Sequence, residues 1–184
     1  MGIFLLANPL DGEDPSGGGR CPAGTVFKDY FLTFENICVP TDFSTVNQSQ
    51  QQAFYYFYVV AINDVEVDQD DWVGAFNGDT CVGARKWDIS LCLNGICEIP
   101  VMGDDEWEQT EGYMQPGDIP IFKIYDTSAD TYYDATPSEE FAWHAMGQYI
   151  GGVLLAYDIL YGCTDVDACN YDPSASEDDG SCTY

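Results

Sequence analysis

No long stretch of this chain repeats its apolar residues every three or four positions. They fall instead in short aromatic and β-branched runs, punctuated by Asn-Gly, Gly-Asp and Pro-Gly. That pattern excludes a helical core and predicts an all-β fold. The clearest strands are Ala53–Ile62, Trp72–Phe76, Cys81–Trp87, Glu98–Met102, Ile119–Asp126, Thr131–Ala135 and Gly152–Leu160. About seven such runs are expected to form a two-sheet sandwich, immunoglobulin-like or jelly-roll in type. Asn77-Gly78-Asp79 marks one hairpin, because Asn-Gly takes the positive φ angles of a tight turn. Cys92-Leu-Asn-Gly-Ile-Cys97 marks another, which its flanking cysteines can close as a disulfide.

The 184 residues suffice for one buried domain with a small appendage. Four segments follow: an apolar run over 1–10, a linker of turn formers and acids over 11–25, the β-sandwich over 26–161, and a cysteine-rich segment over 162–184. Thirty-two Asp and Glu against five Lys and Arg leave a formal charge of −27, which repels itself unless cations neutralise it. Nucleic acid and anionic lipid need clustered basic residues, and Arg85-Lys86 is the one adjacent pair, so neither is expected as a partner. Eight cysteines, an even number, fit a disulfide framework in an oxidising, extracellular or cell-surface location. Zinc is the competing reading, disfavoured because no CxxC occurs and His144 is the sole histidine. Cys21 and Cys38 pair plausibly across the entrance to the domain, although spacing alone does not fix connectivity.

Met1-Gly-Ile-Phe-Leu-Leu-Ala lacks a basic n-region and is too short for a signal core or a membrane span, and no span is expected elsewhere. Held off by the linker, this run can act as a strand that completes the sheet of a neighbouring copy. Burying Ile3, Phe4, Leu5 and Leu6 contributes about 1.5–3 kcal/mol each, against about 1–2 kcal/mol per residue for ordering. Exchange is therefore favourable when most of them are buried. Such a contact is head-to-tail and, repeated without closure, gives an open homopolymer. The alternatives are that the run packs on its own domain or is the remnant of a processed signal.

The final segment, GCTDVDACNYDPSASEDDGSCTY, is too small to bury a core and needs bridges or a metal. Its short acidic and amide side chains suit Ca2+, which takes six to eight oxygen ligands. The expected donors are Asp165, Asp167, Asn170, Asp172, Asp178 and Asp179, with Gly180 at a sharp turn; the spacing is not that of an EF-hand. A solvated acidic tail is the plain alternative, and the bracketing cysteines argue against it.

This segment resembles a cysteine-rich repeat of pattern GCTDxxACNYxxxAxxDDGSC, found in large secreted proteins of aquatic bacteria and similar to thrombospondin type 3 calcium repeats. Cys163, Thr164, Asp165, Ala168, Cys169, Asn170, Tyr171, Ala175, Asp178, Asp179, Gly180, Ser181 and Cys182 sit on the pattern, while Val166 stands where the family often has Pro. The resemblance covers only the end of the chain. It implies calcium binding and a Cys163–Cys182 bridge, and it leaves Cys169 to pair with the main domain, Cys81 being the candidate partner. AFYYF, DWVGAFNGDTCVGARKWD and GYMQPGDIPIFKIYD resemble more loosely a module that accompanies these repeats in exported surface proteins. The whole arrangement looks like that of some fibre-forming secreted proteins.

Weaker candidates complete the reading. Asp64, Glu66, Asp68, Asp70 and Asp71 could hold a second calcium, and Asp104, Asp105 and Glu106 a third, although solvated turns are the commoner use. Trp72, Trp87, Trp107 and Trp143 could form a glycan-binding face, with core packing the more frequent fate. Asn47-Gln48-Ser49 is a glycosylation sequon. His144 has no nucleophile motif to serve and reads as structural, Gly17-Gly18-Gly19 is a spacer, and carboxylate pairs carry no signal among so many acids. No enzymatic activity is expected. The reading is a structural subunit of a filament or surface layer, with a calcium-dependent glycan-binding or cell-adhesion module as the alternative.

Overall fold

A computed structural model describes residue 21, residues 24–30 and residues 35–184 of the chain. The candidate donor residues Ile3, Phe4, Leu5 and Leu6, and most of the linker, lie outside the described residues.

Among the described residues twelve strands occur in order: β1 (Thr25–Tyr30), β2 (Glu35–Pro40), β3 (Gln52–Ile62), β4 (Val65–Glu66), β5 (Trp72–Asn77), β6 (Thr80–Lys86), β7 (Cys97–Met102), β8 (Ile121–Asp126), β9 (Thr131–Pro137), β10 (Gln148–Ala156), β11 (Tyr161–Gly162) and β12 (Glu177–Asp178). The all-β fold read from the sequence is the fold observed. One eight-stranded sheet runs β4-β3-β10-β9-β8-β5-β6, with β7 also on β3; β1–β2 and β11–β12 are separate two-stranded pairs. The sheet curls into a sandwich-like body, so that its far strand β6 comes against β7. There Gly83 is required: a Cβ at this position would stand 2.0 Å from the Pro100 carbonyl oxygen.

Strand β3 follows the period-two rule, burying Ala53, Tyr55 and Phe57 while Phe54, Tyr56 and Tyr58 take the other face. Its neighbours could not be read from the sequence. It pairs antiparallel with β7 and in parallel with β10, whose strand ends at Ala156 rather than continuing to Leu160. Tyr157, Ile159, Leu160 and Tyr161 are instead exposed on the way to the C-terminal segment.

The main core gathers Tyr55, Phe57, Ile99, Met114, Phe122, Ile124, Trp143 and Leu154. A second, smaller core lies on the other face of β5, where Trp72 and Phe76 meet Val39, Phe43 and Tyr125. Strand β5 is thus buried on both faces, and Gly74 leaves room for the Phe43 ring, which a Cβ would approach to 2.4 Å. Phe43 sits on the 3-10 turn Thr41–Phe43 directly after β2, so this plug anchors the base of the β1–β2 ribbon. Gly24 at the start of the ribbon accepts two hydrogen bonds from Thr41, one from its amide and one from its hydroxyl, both 2.9 Å.

Both expected hairpins form. Gly78, at φ 58°, and Asp79 join β5 to β6. Asn94 and Gly95, at φ 55° and 74°, turn the Cys92–Cys97 loop under a Leu93–Ile96 bridge, as a type I′ turn requires.

Candidate functional site

Three disulfides are present: Cys21–Cys38, Cys92–Cys97 and Cys163–Cys182. They are the bridges of a chain folded in an oxidising, non-cytoplasmic compartment. The expected Cys81–Cys169 pair does not form. Cys81 is buried in the second core with its thiol toward the Gly83 carbonyl, whereas Cys169 is exposed on the C-terminal segment. The mismatch in burial is the physical reason.

The C-terminal segment is built from short-range contacts. The Cys163–Cys182 bridge closes it, and a two-residue parallel pairing of β11 with β12 matches Tyr161 to Glu177 and Gly162 to Asp178. Asn170 ties the last residues down, its amide donating to the Ser181 carbonyl while its oxygen accepts from the Thr183 amide and hydroxyl. The carboxylates are turned onto neighbouring backbone. Asp165 accepts from the Asp167 amide, Asp172 from Ser174, Asp178 from Gly180 and Asp179 from Ser181. The second oxygen of Asp165 accepts from the Tyr184 hydroxyl at 2.6 Å. These hydrogen bonds favour the ionised form and hold Asp165 and Asp179 below the ordinary carboxylate range.

For Ca2+ the donor set fits in kind, being all oxygen, but it is not gathered in this arrangement. Among the described residues no three His, Cys, Asp or Glu side chains converge into a metal-binding group. Asp165, Asp167, Asn170, Asp172, Asp178 and Asp179 all lie in the segment that the Cys163–Cys182 bridge closes.

The second acidic cluster serves the fold directly. Asp71 is buried, at 6% exposure, and its two oxygens accept from the amides of Asp68 and Thr127 at 2.8 and 2.9 Å. Asp70 pairs with Lys86 and Asp64 accepts from the Tyr157 hydroxyl, while the Glu66 and Asp68 side chains are exposed. Burial is the main cause that raises the Asp71 carboxyl above its usual value.

Asp104, Asp105 and Glu106 border a cleft of about 440 Å³ with Gln51, Gln115, Pro116 and Trp143. Two of these acids are already engaged. Asp104 accepts from the Glu106 amide and the Gln115 side chain, and Asp105 from the Gln50 amide and the Thr110 hydroxyl. The tryptophans divide: Trp72, Trp87 and Trp143 are core residues, and Trp107 is 63% exposed. Asn47 is exposed, its side-chain amide donating to the Gln109 carbonyl. His144 is exposed in the loop before β10 rather than packed inside.

Sequence reasoning missed Arg85, which joins the two ends of the curled sheet, because its partner Glu98 comes from a strand with which β6 forms no ladder. Among the described residues no helix is long and apolar enough to cross a membrane. No family model matches the chain. A stretch of 26 residues is 65% identical to ribulose bisphosphate carboxylase/oxygenase activase, chloroplastic, of Spinacia oleracea, covering 14% of this chain and 6% of the activase. That short overlap shows no family. No solved structure matches the chain.

Proposed function

We propose that this protein is a structural subunit of an extracellular filament or surface layer. Copies join head to tail through the Met1–Leu10 run, and disulfides and Ca2+ at the C-terminal segment stabilise the assembly. The observation that carries the reading is the division of apolar material. The described domain fills its own core with Tyr55, Phe57, Phe122, Trp143 and their neighbours. A further uncharged run, containing Ile3, Phe4, Leu5 and Leu6, stands ahead of a linker. Head-to-tail exchange uses a tethered apolar run of this kind as the donated strand. With a charge of −27, contact between copies also needs cations, which the carboxylates of the C-terminal segment can collect. No catalytic role is proposed for any residue.

The test is electron microscopy of the purified chain, with and without a calcium chelator, beside a chain lacking residues 1–10. Filaments that disappear on deletion support the reading. Dispersed particles in every condition overturn it.

A second reading rests on Trp107, an exposed aromatic that follows Glu106 of the acidic cleft in the sequence. It makes the domain a glycan-binding or adhesive module of a larger exported protein. Glycan binding abolished by Trp107→Ala, without self-assembly, would select it.

A further inference from the structure

Following the pairings round the main sheet, β3, β10, β8 and β6 run one way and β7, β9 and β5 the other. The connections between them therefore divide between two opposite ends. The β6–β7 connection, residues 87–96, leaves at the end where β3 and β10 finish. The β7–β8 and β9–β10 connections, residues 103–120 and 138–147, lie where β3 and β10 begin. There the Gly103 and Met146 amides donate to the Gln51 and Gln52 carbonyls, at 2.6 and 2.7 Å.

The first end presents an apolar tip. Residues 89–97 carry no charge, and Ile89, Leu91, Leu93 and Ile96 among them are exposed, Leu91 at 72% and Leu93 at 81%. Leu93 and Ile96 pair across the Asn94-Gly95 turn, so their side chains share a face. Aliphatic residues gathered in this way, unlike single scattered ones, mark a contact surface. The tip is held in shape without a partner. The Cys92–Cys97 bridge closes it, Asp88 accepts from the Ser90 amide at the 3-10 turn Ile89–Leu91, and Arg85 reaches the Cys92 sulfur. A loop already fixed loses little entropy on docking.

Charge selects what the tip meets. Over 85–97 the loop has Arg85 and Lys86 against Asp88 alone, and ion pairs with Glu98 and Asp70 bring the region near neutrality. The opposite end has six acids in 103–120 and two in 138–147, with no Lys or Arg in either connection. Among those acids Trp107 and Met146 are exposed, and both are residue types enriched at interfaces. In a chain of charge −27 two acidic surfaces repel, whereas a near-neutral tip and an acidic end can meet.

We propose that the stapled 87–97 loop of one copy docks on the opposite end of the next, with Trp107 and Met146 as the anchors it packs against. The contact joins unlike surfaces at opposite ends of the domain, so repetition adds copies in a row. It rests on the assembly reading above for the association of copies, and it uses no residue of the Met1–Leu10 run.

The test is the concentration at which the full-length chain forms sedimentable filaments in calcium. Leu93→Ser and Trp107→Ala are each expected to raise it by roughly tenfold or more, the change that loss of one buried apolar anchor gives. Because both side chains are exposed, the thermal midpoints of the dispersed variants are expected to match wild type. A benzophenone side chain in place of Leu93, in mixed isotope-labelled and unlabelled copies, locates the partner. Cross-links between copies from position 93 to 103–120 or 138–147 support the proposal. Cross-links to 87–97 of another copy, a two-fold pair of tips, overturn it, and so do cross-links to 1–10, which would make the tip a seat for the apolar run. Filaments unchanged by both substitutions overturn this contact and leave strand exchange intact. Filaments that survive deletion of residues 1–10 but not Leu93→Ser overturn strand exchange and leave this contact standing. Chains that never assemble overturn both.

Discussion

Arg85 and Glu98 join two strands that share no ladder: the Arg85 guanidinium donates to the Glu98 carboxylate and, at 3.1 Å, to its backbone carbonyl. The same guanidinium reaches the Cys92 sulfur at 3.5 Å, so one side chain ties β6, β7 and the stapled hairpin together. The ion pair itself is partly exposed, at 18% for Arg85 and 33% for Glu98, and screening discounts it. The bond to the carbonyl caps a strand edge that would otherwise need water. Arg85→Ala is expected to destabilise the fold by about 1–2 kcal/mol. Arg85→Lys recovers only part, because an ammonium lacks the planar fork. Urea unfolding of both variants checks this, and equal midpoints for wild type and Arg85→Ala would refute it.

Asp71 presents a different balance. Its carboxylate spends both oxygens on amides of two loops, Asp68 and Thr127, yet burial raises its pKa. With the folded pKa above the unfolded one, the ionised group costs stability at neutral pH. That cost fades as pH falls through the folded pKa toward the unfolded value. Asn at this position can accept from one amide but turns its NH2 toward the other. Asp71→Asn is expected to lose about 1–3 kcal/mol at pH 7 despite removing a buried charge. The gap to wild type then widens as pH falls, because only wild type gains from protonation. Thermal unfolding of the pair between neutral pH and the carboxylate range measures both effects.

The burial of Cys81 and the exposure of Cys169 give a direct chemical prediction. A maleimide applied to the folded chain is expected to modify Cys169 and to reach Cys81 only after denaturation. Mass spectrometry of the digested protein locates the label. Modification of both residues in the folded state would mean that the second core opens readily.

These cases show what the sequence carried and what it lacked. The aromatic and β-branched run Ala53–Ile62 and the Asn-Gly turns are local signals, and each formed the expected element. Strands β1 and β2 were not among the runs singled out. The end of β10 at Ala156 was also missed, because the apolar Tyr157–Leu160 continues its hydrophobic pattern without its pairing. The parallel β3–β10 match and the Arg85–Glu98 link join residues far apart in sequence and leave no local trace. The acidic spacing was ambiguous for a physical reason. Asp at one position and a backbone amide two residues later make an Asx turn, which is the bond Asp165, Asp172, Asp178 and Asp179 make. A calcium loop uses the same short side chains.

Asp178 separates those two uses. Its bond to the Gly180 amide is long, at 3.3 Å, and its side chain is exposed, so without metal its removal costs the turn little. The Cys163–Cys182 bridge keeps the segment closed in either case. If Asp178 is a Ca2+ ligand, the ion stabilises the folded state by mass action, by about 2.7 kcal/mol when free calcium is a hundred times its dissociation constant. Asp178→Ala is then expected to lower the thermal midpoint in calcium and to match wild type in chelator. The measurement is a pair of melting curves for each protein, with exchange of amides 161–184 recorded alongside, so that loss in the segment is told from loss in the main sheet. An equal drop in both conditions would assign Asp178 to the turn alone. The calcium assigned to assembly would then have to bind elsewhere on the acidic surface.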